Sequence, residues 1–372
     1  MRIVLTRREA LDSPDGVNIF IVALAQALSD LDHEVWVVVG SLRSHAEYRR
    51  LLGPRLDLRI LALNRTGSTG LGSAAAWLRA KWAIDGFRPD LVIHSEAVPL
   101  PLPGTIVQVV HDLEPRSGRL APVWRTIRRM STRRSDYVVA TTTELRDELV
   151  RDLAMPAHHF TVIPKCVDLQ AYPSAGLAAR ERAILHTGTL PYKNPAATIR
   201  AFGALDDPSV RLYVAGEITG PTREAVDALP DRIRRRVTLL GLADGKAVRS
   251  LHGRVRVAAY PTRYTIPVAS GTVMEAVAAG TPIVGSARLS RDVLVNGVNG
   301  LVVDTDDPNL MADALRAALN DDVLWLRLSA GAGQLAKRFD AFRIARQYLG
   351  LVPSARRGEP TIASVADERE LV

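Results

Sequence analysis

The 372-residue chain contains a single cysteine, Cys166, which excludes an internal disulfide framework and a cysteine-based structural zinc site. A reducing compartment fits that scarcity. Long apolar runs are also missing. The opening stretch Ile3–Leu5 lies between Arg2 and Arg7, shorter than a secretion-signal core, and no later run approaches the roughly 20 residues that span a bilayer. A cytoplasmic protein is therefore expected, with association to the surface of a membrane still allowed. There is no Gly-x-x-x-x-Gly-Lys-Ser/Thr loop, serine elbow, metalloprotease helix or nuclease-like carboxylate cluster. Gly70-Leu71-Gly72 follows Asn64 to Thr69 rather than a strand, and Gly331-Ala332-Gly333 lies inside a helical pattern, so both read as loop or packing glycines. His158-His159 lacks further ligands at metal-binding spacing and reads as a surface or turn pair.

What is present is the composition of a globular protein, 47% hydrophobic and 24% charged, long enough for two domains. The net charge of +8 suits an anionic partner, but none of the usual nucleic-acid recognition motifs accompanies it, so no nucleic acid is expected. Met1–Thr6 reads as a buried strand. A Ser13-Pro14-Asp15-Gly16 loop then leads into Val17, Phe20, Ile21, Leu24, Leu28 and Leu31 at helical spacing, and Val35–Val39 is a continuous apolar strand. The βαβ pattern repeats to Ile163, lapses over Asp168–Arg182, and resumes at Ala183. Two doubly wound α/β halves result, and the segment after Pro353 reads as a disordered tail.

Two strand-to-helix corners in the second half carry the chemistry. After a strand ending at Pro261, Ser270-Gly271-Thr272 opens a helix whose free backbone N–H groups face the sheet's C-terminal edge, an arrangement that suits phosphate. Glu275 falls one turn in. It either accepts hydrogen bonds from two vicinal ribose hydroxyls or merely complements the positive helix end, an effect worth about 0.3–1 kcal/mol. Upstream, the turn Gly188-Thr189-Leu190-Pro191-Tyr192-Lys193-Asn194-Pro195 puts Lys193 at another strand exit, where it suits a diphosphate if both loops open on one edge.

With these corners, the sequence resembles the retaining nucleotide-sugar-dependent glycosyltransferases of family 4, over roughly residues 1 to 350. The segments carrying the resemblance are Met1–Leu5 with Asp15-Gly16-Val17, His33-Glu34-Val35, His111-Asp112-Leu113, Val162–Asp168, Gly188-Thr189-Leu190 with Lys193-Asn194, Met274–Pro282 and Asn296–Val303. It implies the GT-B fold, two facing Rossmann-like domains with a cleft between them. Residues 1–170 would form the acceptor-side domain, 171–182 the linker, 183–350 the nucleotide-sugar-binding domain and 351–372 the tail.

The resemblance further implies that Lys193 holds the donor diphosphate with Ser270, Gly271 and Thr272, that Gly16 lies near the phosphates, that Glu275 holds the ribose, and that His111 sits at the cleft floor near sugar and acceptor. The donor is a nucleoside diphosphate sugar and the acceptor a glycan, a lipid-linked molecule or a small molecule. No metal and no separate cofactor are implied. An epimerase of the same architecture, or a non-enzymatic nucleotide-sugar-binding member, would share these features. The chain departs from the family at three places. The family's first glutamate, eight positions before Glu275, is Pro267, which leaves Thr265, Ser270 or the backbone of 270–272 to meet the donor sugar. The family's arginine after the glycine is Thr189, with Arg263 as its candidate replacement, and Lys165-Cys166 stands where asparagine-glycine is usual.

Basic residues gather on and around a first-half helix: Arg116, Arg119, Arg125, Arg128, Arg129, Arg133 and Arg134. They read either as a face for an anionic membrane surface or as an ordinary solvated face.

Overall fold

The computed structural model describes residues 1–10, 16–41, 59–64, 71–95, 101–112, 121–172, 174–264, 267 and 269–353. The expected disordered tail and Thr265 lie outside these, apart from 351–353 at the start of the tail. The first half runs β1 (Arg2–Ala10), α1 (Gly16–Asp30), β2 (Glu34–Ser41), β3 (Arg59–Asn64), α2 (Leu71–Phe87), β4 (Leu91–His94), β5 (Thr105–Val110), α3 (Ala121–Arg134), β6 (Tyr137–Ala140), α4 (Thr143–Leu153) and β7 (Phe160–Val162). Among the described residues these strands form a seven-stranded parallel sheet in the order β3-β2-β1-β4-β5-β6-β7. Strand β3 was not anticipated. It means that a strand does precede Gly70, contrary to the sequence reading, although β3 ends at Asn64 and lies at the sheet edge, away from the centre.

The second half holds β8 (Glu181–Thr187), α5 (Pro195–Leu205), β9 (Arg211–Ala215), α6 (Gly220–Asp227), α7 (Asp231–Arg234), β10 (Val237–Gly241), α8 (Gly245–Arg254), β11 (Val255–Tyr260), α9 (Gly271–Ala278), β12 (Ile283–Gly285), β13 (Gly300–Val302), α10 (Pro308–Asn320), α11 (Asp322–Ala336) and α12 (Ala341–Gly350). Its six strands are parallel in the order β10-β9-β8-β11-β12-β13. The stretch between β9 and β10 holds two helices, α6 and α7, because Pro230 has no N–H for a helical bond and starts α7 as its N-cap.

Both sheets reverse their strand order once, beside β1 and β4 in the first and beside β8 and β11 in the second. A parallel α/β sheet opens a crevice at such a reversal, at the C-terminal ends of its strands. That rule places the exits of β1, β8 and β11 at the cleft.

The helical spacing of Phe20, Ile21, Leu24 and Leu28 is spent on the first core, where all four are buried against Leu5, Val37, Ile93 and Val109. Full burial of such a side chain is worth about 1.5–3 kcal/mol. The last helix, α12, crosses back to this core through Ile344, Ala345 and Tyr348. By packing it belongs with the first domain, although 183–350 was expected to form the second. No local period says which apolar surface receives it. Gly331 proves to be a packing glycine, since a Cβ there would lie 2.0 Å from the Val298 carbonyl oxygen.

Candidate active site

The loop leaving β8 turns through a 3-10 segment, Pro191–Lys193, and passes into α5 through Asn194 at φ 55°. The loop leaving β11 runs to Ser270, the N-cap of α9. A backbone bond ties the two loops together, with Arg263 N donating to Tyr192 O at 2.7 Å. The Tyr192 and Tyr264 rings then lie 5.0 Å apart, and the Lys193 ammonium sits 5.9 and 5.6 Å from their centroids. This cation–aromatic contact stabilises a charge held out of water.

Lys193 is buried, and its Nζ donates to Ser270 Oγ and reaches Thr272 Oγ1 at 3.4 Å. The Ser270 hydroxyl is engaged there and does not cap its own helix. No side chain accepts from the first N–H groups of α9 at the N-cap, and a helix start of this kind suits an anion. Burial, then the Lys165 charge, pulls the Lys193 ammonium down to about 7, partly offset by Glu275. Tyr260 fixes the floor, its hydroxyl donating to Thr272 O at 2.8 Å and meeting Thr187 Oγ1 at 3.1 Å.

Glu275 is buried one turn along α9. Its Oε1 accepts from the Tyr172 hydroxyl at 2.6 Å, and its Oε2 lies 3.7 Å from His252 Nε2. Burial raises its carboxyl, with Tyr172, Arg249 and Lys193 opposing that shift. A carboxylate offers about four lone-pair positions, so the Tyr172 bond leaves acceptor capacity for a ligand. Lys193 and Glu275 thus meet at one helix end, each within the other's electrostatic reach.

The first half faces this corner across the cleft. Gly16 opens α1 so close to Gly271 that a Cβ on Gly271 would lie 3.0 Å from the Gly16 Cα. Only small residues allow two helix starts to meet this way. His111, just past β5, is buried with its ring 5.2 Å from Phe20 in an edge-on arrangement, and neither ring nitrogen has a hydrogen-bond partner. Burial first, then Lys165 and Arg7, holds it well below the usual histidine range, so the imidazole is neutral. His111 shares this with several other buried side chains, His252 among them, and two open ring nitrogens at the cleft are able to meet a ligand's hydroxyls.

Four groups at this site were not picked out as site residues in the sequence. Arg7, within β1, is buried and donates to Asn18 Oδ1 at 2.5 Å. Tyr172 lies in the segment read as linker, and His252 ends α8 without a motif. Lys165 stood in a matching segment but was read only as a departure. Arg263, the candidate replacement for the missing arginine, instead forms an exposed ion pair with Asp306. Thr189, at the arginine position, is buried and donates to Glu217 O at 2.5 Å.

Two parallel Rossmann-like domains, with both strand reversals opening on a shared cleft, define the GT-B architecture. The family model described as Glycosyltransferase Family 4 matches residues 14–171, and that described as Glycosyl transferases group 1 matches residues 181–321. The chain belongs to this glycosyltransferase family. The D-inositol 3-phosphate glycosyltransferase of Xylanimonas cellulosilytica is 33% identical over 248 residues, 61% of this chain and 58% of that protein. The chain spans just under three fifths of the length of the first curated relatives it matches. Among solved structures, sucrose-phosphate synthase from Thermosynechococcus elongatus shares the fold at a TM-score of 0.75 and 17% identity, over 96% of this chain and 100% of that one. Anabaena HepE in complex with UDP and glucose does so at 0.71 and 18%, over 95% and 100%.

Proposed function

We propose that the chain is a retaining, metal-independent glycosyltransferase that moves a sugar from a nucleoside diphosphate sugar to a glycan, lipid-linked or small-molecule acceptor. The observation that carries this reading is the convergence of Lys193 and Glu275 on the start of α9, with Lys165 of the other half within electrostatic reach of both Lys193 and the neutral His111. Lys193 and the first N–H groups of α9 bind the diphosphate. Gly16, at its close approach to Gly271, lets the first half reach the same phosphates. Glu275 accepts from the ribose hydroxyls while Tyr172 holds its other edge. Among the relatives, the HepE complex with UDP and glucose supports a donor of this class.

In the transfer, the bond from the sugar's anomeric carbon to the phosphate oxygen breaks, and a bond from the same carbon to the acceptor oxygen forms on the same face. The acceptor's proton passes to the leaving phosphate oxygen. The protein then acts chiefly by positioning and by stabilising the charge that grows on the phosphate. His111 lines the floor beside sugar and acceptor as an uncharged group, with two nitrogens able to meet hydroxyls. With Pro267 in place of an acid, the sugar's hydroxyls fall to Ser270 and the backbone of 270–272.

The acceptor side also supports docking of α3 on an anionic membrane surface. Arg129, Met130, Arg133 and Arg134 are exposed on α3, and Leu78 and Trp82 are exposed on α2. Among the described residues no helix is long and apolar enough to cross a membrane.

Thermal-shift titration with UDP, GDP and ADP tests the donor site, since a ligand at 100 times its Kd stabilises by about 2.7 kcal/mol. At least one is expected to raise the melting temperature, and donor consumption is expected to depend on an acceptor. No shift with any of the three contradicts the reading. Consumption that ignores acceptors favours an epimerase or hydrolase.

A further inference from the structure

The chain has no arginine at position 189, yet the crevice is rich in buried positive charge. Arg7, Lys165 and Lys193 are all buried, Arg7 within the C-terminal half of β1 and the two lysines past the ends of β7 and β8. Lys165 follows the end of β7 by three residues and reaches across the cleft, where its Nζ donates to Ala269 O at 3.3 Å. The next residue, Ser270, is the one Lys193 holds. Two ammonium groups, one from each half, therefore grip consecutive residues at the N-cap of α9. The Lys165 charge lies within electrostatic reach of both Lys193 and His111. Glu275, one turn deeper, is the carboxylate that faces Lys193, and it is shared with Tyr172.

We propose that Lys165 is a second cation of the diphosphate site, supplied by the opposite domain in place of the arginine absent at Thr189. This rests on the reading of the cleft as a nucleoside diphosphate site. A diphosphate bound between Lys165 and Lys193 bridges the two halves, so donor binding itself draws the cleft together. A cation on the same half as Lys193 could not do this.

The probe is inorganic pyrophosphate, which carries the charge without a base or sugar, alongside the UDP, GDP and ADP panel. Wild type is expected to bind pyrophosphate, Lys165→Gln to bind it roughly tenfold more weakly or worse, and Lys165→Arg to stay within about threefold of wild type. Ligand-free melting temperatures check that each variant folds. Should Lys165→Gln fail to fold, amine acetylation of the wild-type chain reads the site directly. Pyrophosphate is then expected to protect Lys165 about fivefold while exposed Lys246 is labelled as before. Equal affinity of wild type and Lys165→Gln, or equal labelling with and without pyrophosphate, overturns the proposal and leaves the nucleotide site standing. Failure of the wild type to bind pyrophosphate or any of the nucleotides overturns the underlying reading together with this one.

Discussion

The two faces of the cleft start from the same device, a glycine opening a helix, yet they differ in charge. On the second half, Gly271 begins α9 beside one cation, Lys193, and one carboxylate, Glu275. On the first half, Gly16 begins α1 near two cations, Arg7 and Lys165, and the neutral His111. The second face has a donor group and an acceptor group for one ligand, as a nucleotide with its phosphate and ribose requires. The first supplies positive charge and a neutral floor, which suits the leaving group and an acceptor hydroxyl. Under the proposed function, this difference has the donor held by one face and completed by the other.

The sharpest way to break this division is to remove the polar pair. Lys193→Ala and Glu275→Ala are each expected to abolish nucleotide-induced stabilisation, a loss on the order of 100-fold in affinity, with the ligand-free melting curve retained. Wild-type binding in both would mean that the second face does not hold the ligand. Next in size is the contact between the faces. Gly271→Ala puts a methyl 3.0 Å from the Gly16 Cα, whereas Gly16→Ala meets Gly271 at a looser 3.4 Å. Turnover is expected to fall about tenfold in the first and to stay within about threefold in the second, because small misplacements are costly to transfer. The reverse order would show that closure does not pass through this point.

Acidity separates the faces further. Burial first, then the Lys165 charge, bring the Lys193 ammonium down to about 7, below the ordinary lysine value, with Glu275 opposing and the neutral His186 also close by. A bound diphosphate favours the charged form, so binding above pH 7 takes up a proton. Affinity is therefore expected to fall as pH rises from 7.5 to 9, at most about tenfold per unit, over a range where the phosphates are already ionised. Isothermal titration in buffers of different ionisation enthalpy reads both the fall and the proton uptake. A flat profile would place Lys193 away from the phosphates.

The smallest effect concerns how the halves are held beside the cleft. The Asp292 carboxylate accepts from Thr143 N at 2.7 Å at the start of α4, and Glu144 accepts from Ser290 Oγ at 2.7 Å and Arg291 N at 3.0 Å. Asp292→Ala removes one such bond, and the expected cost is about 1 kcal/mol, or roughly 2 °C in melting temperature, with nucleotide affinity unchanged. Lost affinity would mean that this contact belongs to the site.

Most of the architecture was legible because parallel strands buried on both faces leave unbroken apolar runs, as Val35–Val39 does, and because α1 repeats its apolar residues at helical spacing. Strand β3 escaped since Arg59–Asn64 is short and begins with a charge. Lys193 and Glu275 could be found because strand-to-helix corners are local in sequence. Tyr172 and Lys165 could not be assigned in the same way. Their roles depend on the linker and the β7 exit arriving beside α9 from more than 100 positions away, as the Tyr172–Glu275 and Lys165–Ala269 bonds do. The docking of α12 onto the first core is likewise a long-range event that no local period encodes.

The central claim is that one helix start, opposed by the other domain, grips a single nucleoside diphosphate. A crystal structure with the stabilising nucleotide bound tests it most directly. The account predicts phosphate oxygens on Lys193 Nζ and the first N–H groups of α9, with ribose hydroxyls on Glu275. A nucleotide seated elsewhere, or one that leaves both side chains untouched, would contradict it.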